Sequence, residues 1–139
     1  MEKDQMQRQK YALSLRNTIK GHHHVLKGAV EEFQEKCQRV TPERRVPPDI
    51  INQIRGAYKE IRDRLTEIRA IQQLLQSKYR QFYERDPLRD KEITEFEFIS
   101  KNYYSKFEYI LKEIEAKKKL ERERIAKMSH KNESPGGNF

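Results

Sequence analysis

The sequence predicts an all-α protein, either an elongated antiparallel three-helix coiled-coil bundle or a helical hairpin with a third long helix. Two observations support this. Charged residues make up 37% of the chain and apolar residues only 35%, so any core must be thin. Apolar residues also recur at helical spacing in three segments that are separated by prolines. We therefore expect one domain over residues 1–128, with helices at about 8–40, 49–85 and 88–127.

The first predicted helix carries one apolar stripe along its length. Its members are Leu15, Ile19, His22, Leu26, Val30, Phe33, Cys37 and Val40. Gly21 and Gly28 lie within this helix, and a glycine inside a helix costs roughly 1 kcal/mol relative to alanine. We expect them to mark either points of close approach or a frayed first half.

The second predicted helix has the most regular heptad pattern, in alternating steps of four and three residues. The positions are Ile54, Tyr58, Ile61, Leu65, Ile68, Gln72, Leu75, Tyr79 and Phe82. Eight of these nine positions are apolar, whereas about three would be apolar at the average content of the chain. This helix is therefore the predicted centre of the fold, and Gln72 is its polar layer.

The third predicted helix repeats the pattern and then loses it. The positions are Ile93, Phe96, Tyr103, Phe107, Ile110 and Ile114. Beyond Ile114 only Ile125 and Met128 continue the stripe among charged residues, which predicts a charged arm that extends past the body. Residues 129–139 contain a Ser-Pro-Gly-Gly run and are expected to form a disordered tail.

Prolines mark both helix boundaries. Thr41-Pro42 and Val46-Pro47-Pro48 keep the first connection extended, because a residue before proline is disfavoured in the α region. Asp86-Pro87 resembles a helix start, with aspartate as the N-cap and proline in the first turn. No glycine lies near Asp86, so a turn and a kinked continuous helix remain alternatives here.

The composition narrows the cellular setting. A single cysteine, Cys37, excludes an internal disulfide framework and favours a reducing compartment. The longest apolar runs are three residues, so neither a membrane span nor a secretory signal is expected. We predict a cytoplasmic protein that associates with the cytoskeleton, with the nucleus as an alternative.

No pattern of catalytic residues, phosphate loop or cofactor motif is recognisable, so we expect no enzyme activity and no cofactor. Cys37 is expected to pack in the core as a small hydrophobe. His22, His23 and His24 are consecutive and point about 100° apart on a helix, which does not suit a metal site. We expect His22 in the apolar stripe and the other two histidines towards solvent.

The positive charge is spread along the chain. The net charge is +8, and residues 1–48, 49–87 and 88–139 contribute +4, +2 and +2. Two local concentrations stand out as candidate binding elements. They are a row of arginines seven residues apart, Arg55, Arg62 and Arg69, and a basic arm, Lys117, Lys118, Lys119, Arg122 and Arg124. Acidic residues are interleaved with both, which favours solvated helix faces over nucleic-acid binding.

Apolar side chains on more than one face of the third helix indicate a surface for a partner. The candidates are Phe98, Ile99, Tyr104 and Leu111. The predicted function is a helical adaptor or structural subunit in a larger protein assembly. We prefer a cytoskeletal assembly of the microtubule, cilium, centrosome or kinetochore type. A nucleic-acid-associated protein, a coiled-coil subunit of a membrane-trafficking tether and a homodimer are alternatives.

One motif suggests regulation. Thr41-Pro42-Glu43-Arg44 matches a minimal proline-directed kinase site, in which a basic residue lies two positions after the proline. Phosphate on Thr41 would add negative charge close to Arg44 and Arg45. Thr41 is therefore a candidate phosphorylation site in the first connection.

Overall fold

The computed structural model of the chain describes the backbone of residues 2–136 and the side chains of residues 2–129. It contains three α-helices, α1 (Glu2–Gln38), α2 (Pro48–Lys78) and α3 (Pro87–Gly136). A short 3-10 helix, Arg80–Phe82, lies between α2 and α3, and the described part of the chain contains no β-strand. The predicted all-α bundle of three long helices is therefore confirmed.

The helices run up, down and up. Four cross-helix contacts show this order: Arg8 with Lys78 and His22 with Glu67 between α1 and α2, and Arg69 with Glu97 and Arg55 with Glu108 between α2 and α3. In both pairs of helices, residue numbers rise along one helix as they fall along its neighbour. Consequently α1 and α3 are parallel, and both are antiparallel to α2.

The core is a single thin column of apolar side chains along the bundle axis. Its fully buried members include Ile19, Leu26 and Phe33 of α1, Ile54, Ile61, Ile68 and Leu75 of α2, and Ile93 and Phe107 of α3. All of these residues belong to the predicted stripes. The heptad spacing places them on one face of each helix, and burial of that face drives the helices together.

The first connection follows the proline rules. Pro47 is extended, with φ −62° and ψ 144°, and Pro48 occupies the first turn of α2. Asp49 lies beside it at the positive end of the helix dipole. Val40 is buried, so the connection is anchored to the core immediately after α1 ends.

The second connection is a turn, not a kink. Helix α2 ends at Lys78, earlier than the predicted 85, because Tyr79 leaves helical geometry at φ −125° and ψ 33°. Arg8 Nη2 donates a hydrogen bond of 2.6 Å to the exposed carbonyl of Lys78. Tyr79 and Phe82 were predicted to lie on the helix, but they pack against the core from the turn. The apolar stripe of α2 therefore continues through Tyr79 and Phe82, beyond the end of the helix.

Helix α3 begins as the sequence predicts. The backbone N–H of Arg89 donates to Asp86 Oδ1 at 3.1 Å, which is the N-cap bond to the third helical residue. Pro87 occupies the first turn, where its missing N–H leaves no hydrogen bond unmade.

Two expectations about α1 change. A Cβ atom added at Gly21 or Gly28 would have no neighbour within 4 Å, so neither glycine marks a close approach. His23 was expected to face solvent, which is wrong, because its side chain is only 16% exposed. It turns instead towards α3, whereas His24 is exposed as expected.

Helix α3 extends past the other two helices. We call residues 115–129 the arm, and every side chain in it is exposed. The helix continues to Gly136, although the side chains from residue 130 onward lie outside the described part of the chain. Residues 129–136 of the predicted disordered tail, 129–139, belong to this helix, and residues 137–139 lie outside the described part of the chain. No helix in the described residues combines the length and apolarity that crossing a membrane requires.

Candidate functional site: the groove between α2 and α3

A groove runs between α2 and α3. Helix α1 packs closely against both, whereas α2 and α3 approach each other mainly through long polar and aromatic side chains. Two clefts lie end to end between them, and no residue of α1 lines either one. We call them the central cleft and the end cleft, and together they form the α2–α3 groove.

The central cleft has a volume of 530 Å³. Its lining residues are Tyr58, Arg62, Leu65, Thr66 and Arg69 from α2, and Glu97, Ser100 and Lys101 from α3. Leu65 and Ser100 are buried at its base, at 6% and 2% exposure. Three of the lining residues are basic and one is acidic, so the rim carries excess positive charge.

The end cleft has a volume of 440 Å³ and lies where the first connection faces α3. Its apolar lining comes from Pro42, Val46, Ile51, Leu111 and Ile114. Its charged lining comes from Glu43, Arg44, Arg45, Arg55, Glu115, Lys117, Lys118 and Glu121. Five basic and three acidic groups surround an apolar floor, so this cleft also favours an apolar ligand that carries negative charge.

The predicted arginine row lies along this groove. Arg69 Nε is 2.8 Å from Glu97 Oε1, and Arg55 Nε is 3.3 Å from Glu108 Oε1. Both arginines therefore form ion pairs across the groove to α3. Arg62 has no carboxylate partner among the described residues.

The Arg62 guanidinium lies 5.8 Å from the centre of the Tyr58 ring. This is within the range of a cation–π contact, and Arg62 also lines the central cleft. Of the three arginines in the row, Arg62 is thus the one best placed to meet an acidic ligand.

Aromatic rings separate the two clefts. Tyr58 of α2 and Tyr104 of α3 stack with their centroids 3.9 Å apart. Burial raises the pKa of the Tyr104 phenol, and the neighbouring Glu108 carboxylate raises it further. Tyr104 therefore stays neutral at physiological pH and acts as an apolar wall with one polar edge.

The remaining predicted partner residues lie in different places. Leu111 is half-buried in the end cleft. Ile99 packs against the core and lines neither cleft. Phe98 is 67% exposed on the outer surface of α3, where Tyr109 and Leu120 follow at spacings of eleven residues with 63% and 66% exposure. An eleven-residue spacing is close to three whole turns, so these three side chains share the helix face that points away from the core.

Several groove residues were not predicted from the sequence. Ser100 occupies the heptad position between Phe96 and Tyr103, and its hydroxyl donates a 2.7 Å hydrogen bond to the Phe96 carbonyl. A small side chain at a buried heptad position leaves space, and that spacing was the available signal. Lys101, Val46 and Ile51 carry no comparable signal, because only the packing of the helices brings them to the clefts.

The basic arm and Thr41 lie near the end cleft. Lys117 and Lys118 line it, and Lys119, Arg122 and Arg124 are exposed farther along the arm. Thr41 is half-buried, its carbonyl accepts a 3.3 Å hydrogen bond from the Arg44 N–H, and Lys106 lines the same small cleft as Thr41. Phosphorylation of Thr41 stays a prediction.

Two of the histidines, His22 and His23, lie beside carboxylates of the neighbouring helices. His23 Nε2 lies 2.8 Å from Glu92 Oε2 of α3, and because a carboxylate only accepts, this nitrogen must carry its hydrogen. His22 Nε2 lies 3.0 Å from Glu67 Oε2 of α2, without the alignment of a hydrogen bond. Within the described residues, no three His, Cys, Asp or Glu side chains are grouped so that they could hold a metal ion.

No family model, curated protein or solved structure matches this chain.

Proposed function

We propose that the chain is a non-enzymatic helical adaptor that docks onto a larger protein assembly by accepting a partner helix in the α2–α3 groove. The observation that carries the proposal is the groove itself, with its apolar base and excess of basic groups along the rim. An amphipathic helix whose apolar face is flanked by acidic residues has the complementary chemistry.

The dimensions of the groove fit a helical ligand. From the Arg69–Glu97 ion pair to Ile51, the groove follows nineteen residues of α2, whose Cα atoms at the two ends are about 27 Å apart. A helix of about five turns would span that distance and add a fourth member to the bundle. Arg62 would then meet an acidic side chain of the ligand, since Arg55 and Arg69 already have partners.

The state of the cysteine, which lies outside the groove, also supports a binding role over a catalytic one. Cys37 is buried, and burial raises the pKa of its thiol to about 12, so it is a poor nucleophile.

The proposed assembly is cytoskeletal, of the microtubule, cilium, centrosome or kinetochore type, and the proposed location is cytoplasmic. A coiled-coil subunit of a membrane-trafficking tether is the alternative within the same class.

Site-specific photocrosslinking tests the proposal. A benzoylphenylalanine at Thr66, inside the central cleft, is compared with one at Glu31, an exposed residue of α1. In an extract of cells that express the chain, we expect one protein to be crosslinked from position 66 and not from position 31. Equal products from both positions, or none from position 66, would contradict docking in the groove.

A charge-reversal pair adds specificity to that experiment. Arg62→Glu should abolish most of the crosslinking from position 66, because it places a negative charge where the acidic ligand is expected. Lys59→Glu is the matched control on the exposed surface of α2, where it lines neither cleft. If both variants weaken crosslinking equally, general electrostatics accounts for the binding.

Co-sedimentation with preassembled microtubules tests the cytoskeletal part separately. We expect the chain to pellet with microtubules alone or together with the crosslinked protein. If it stays in the supernatant in both cases and the crosslinked protein belongs to a tether, the cytoskeletal assignment fails while the adaptor role stands.

The basic arm supports a second candidate function, binding of nucleic acid. Its lysines and arginines are exposed and project beyond the bundle, where a phosphate backbone has access. Titration with duplex and single-stranded DNA at two salt concentrations decides this. Binding that weakens steeply with salt would favour the alternative, since phosphate contacts release counterions, and absence of binding at low salt would remove it.

A further inference from the structure

We propose that two copies of this chain associate through their arms, side by side and antiparallel, with the tip of each arm entering the end cleft of the other copy. The end cleft also belongs to the α2–α3 groove, so the arm of a second copy and the proposed groove ligand would compete for it. The proposal rests on the position and the charge pattern of one exposed stripe of α3.

The stripe continues the buried face of α3 beyond the bundle. From the end cleft onward it consists of Leu111, Ile114, Lys118, Glu121, Ile125 and Met128, in regular steps of three and four residues. Leu111 and Ile114 are half-buried in the end cleft, whereas Ile125 and Met128 are 60% and 61% exposed. Large apolar side chains at heptad positions on a projecting helix are typical of a helix-pairing surface.

The order of residues along the stripe fits an antiparallel pair. In a register centred between Lys119 and Leu120, Leu111 of one copy faces Met128 of the other, and Ile114 faces Ile125. The central layers place Lys118 of each copy against Glu121 of the other. Twofold symmetry makes every layer occur twice, as expected of an isologous dimer.

The flanking positions carry mixed charges and do not decide the register. Glu115 of each copy lies beside Arg122 of the other, and Lys117 of each copy lies beside Arg124 of the other. The lysine–arginine contacts oppose pairing, but these side chains are exposed and can turn into solvent. A parallel pair is disfavoured, because it would place Lys118 on Lys118 and Glu121 on Glu121.

The end cleft provides an apolar surface on which the tip of the second copy's arm can pack. Ile125 and Met128 of the second copy would lie beside Ile114 and Leu111, where Val46 and Ile51 provide further apolar surface. The overlap from residue 111 to residue 128 is about 27 Å long. Such a short pairing with two charged layers predicts a dimer that forms reversibly with concentration.

Charge reversal tests the register. Lys118→Glu places a second carboxylate against Glu121 of the other copy, and Glu121→Lys places a second ammonium group against Lys118. Each variant alone should weaken dimerisation by about a hundredfold or more, because like charges that face each other in an interface strongly oppose association. The double variant restores opposite charges in both layers, and so does an equimolar mixture of the two single variants.

Sedimentation of the full chain over a range of concentrations provides the measurement. We expect the wild type to approach twice its monomer mass of 16.8 kDa, the single variants to stay monomeric, and the double variant and the mixture to dimerise. At concentrations where the wild type is monomeric, circular dichroism and thermal melting of the variants should match those of the wild type, because Lys118 and Glu121 are exposed on the arm. A wild type that remains monomeric, single variants that dimerise like the wild type, or a mixture that does not associate would each overturn the proposal.

Discussion

Tyr58 of α2 stacks on Tyr104 of α3, with the two ring planes inclined by only 9°. The pair is extended on both sides, because Phe33 of α1 lies 5.8 Å from Tyr58 and Phe107 of α3 lies 5.8 Å from Tyr104. Four rings from three helices thus form one ladder across the bundle. It is the aromatic contact that joins α2 to α3 between the two clefts of the groove.

A double-mutant cycle should reveal this stack as a coupled pair. Tyr58→Leu and Tyr104→Leu keep apolar volume and remove the ring contact. We expect their combined effect on the free energy of unfolding to be less than additive by about 1 kcal/mol, the usual size of an aromatic pair. Urea denaturation of the four proteins provides the values, and Tyr109→Leu is the control on the exposed face of α3. Strict additivity would show that the rings contribute only by burial.

Gly28 is a position at which a substitution should increase the stability of the folded protein. It lies within α1, and a Cβ atom built there meets nothing within 4 Å. Gly28→Ala should therefore stabilise the protein by about 1 kcal/mol, because alanine loses less backbone entropy in a helix. Gly21→Ala, in the same environment, should behave alike in thermal denaturation. A loss of stability in either variant would show that the added methyl group is not accommodated in the folded protein, contrary to the open space around the glycine.

Much of the fold could be predicted from the sequence because the deciding signals are local. The heptad stripe of α2 identifies Ile54, Ile61 and Ile68 as core residues, and all three are fully buried. A helix buries one face whatever packs against it, so periodicity alone is enough. The start of α3 was equally local, since Asp86 and Pro87 are neighbours in the chain.

The groove could not be predicted in this way, because it depends on how far each helix slides along the next. The seven-residue spacing of Arg55, Arg62 and Arg69 was visible in the sequence. That Arg55 and Arg69 face Glu108 and Glu97 was not, because those glutamates lie in a helix whose register is set by the turn. The three arginines therefore do not form an open basic face. Arg55 and Arg69 bridge the groove to α3, and Arg62 alone of the three lacks a carboxylate partner among the described residues.

Removal of the α3 N-cap should lower the free energy of unfolding by a moderate amount. The Asp86 carboxylate accepts the hydrogen bond from the Arg89 N–H, and Asp86→Ala leaves that donor without its partner. We expect a loss of about 1 kcal/mol in urea denaturation, the typical effect of losing an N-cap. Asp86→Asn keeps an acceptor and should cost much less. Equal losses in both variants would assign the effect to charge.

The pair formed by His23 and Glu92 makes a pH-dependent contribution to stability. The hydrogen bond from His23 lowers the pKa of Glu92, partial burial opposes this shift, and the charge of Lys27 lowers the pKa further. A carboxyl group with a lowered pKa in the folded state stabilises the protein at pH values above its unfolded pKa. That contribution disappears as the pH falls through the lowered value.

The Glu92→Gln variant isolates this contribution. At neutral pH it should unfold at lower urea concentration than the wild type, and the difference between the two proteins should shrink steadily in acid. Glu95→Gln, an exposed neighbour on α3, is the matched control and should show no comparable trend. If the difference in stability between wild type and Glu92→Gln is independent of pH, the substitution acts by altering side-chain packing and not by removing the charge.

Cys37 should report on opening of the bundle. Its side chain is buried between α1 and α3 near the first connection, and burial raises the pKa of the thiol to about 12. Little thiolate exists at neutral pH, and reagents cannot reach the sulfur while the helices are packed. We expect Ellman's reagent to modify Cys37 about a hundredfold or more slowly than a cysteine placed at Leu120 in a Cys37→Ser background, because position 120 is 66% exposed on the arm. Stabilising the protein through Gly28→Ala should slow the reaction of Cys37 further if modification requires unfolding. Equal rates at the two positions in the folded protein would show instead that the end of the bundle near the first connection opens without unfolding the rest.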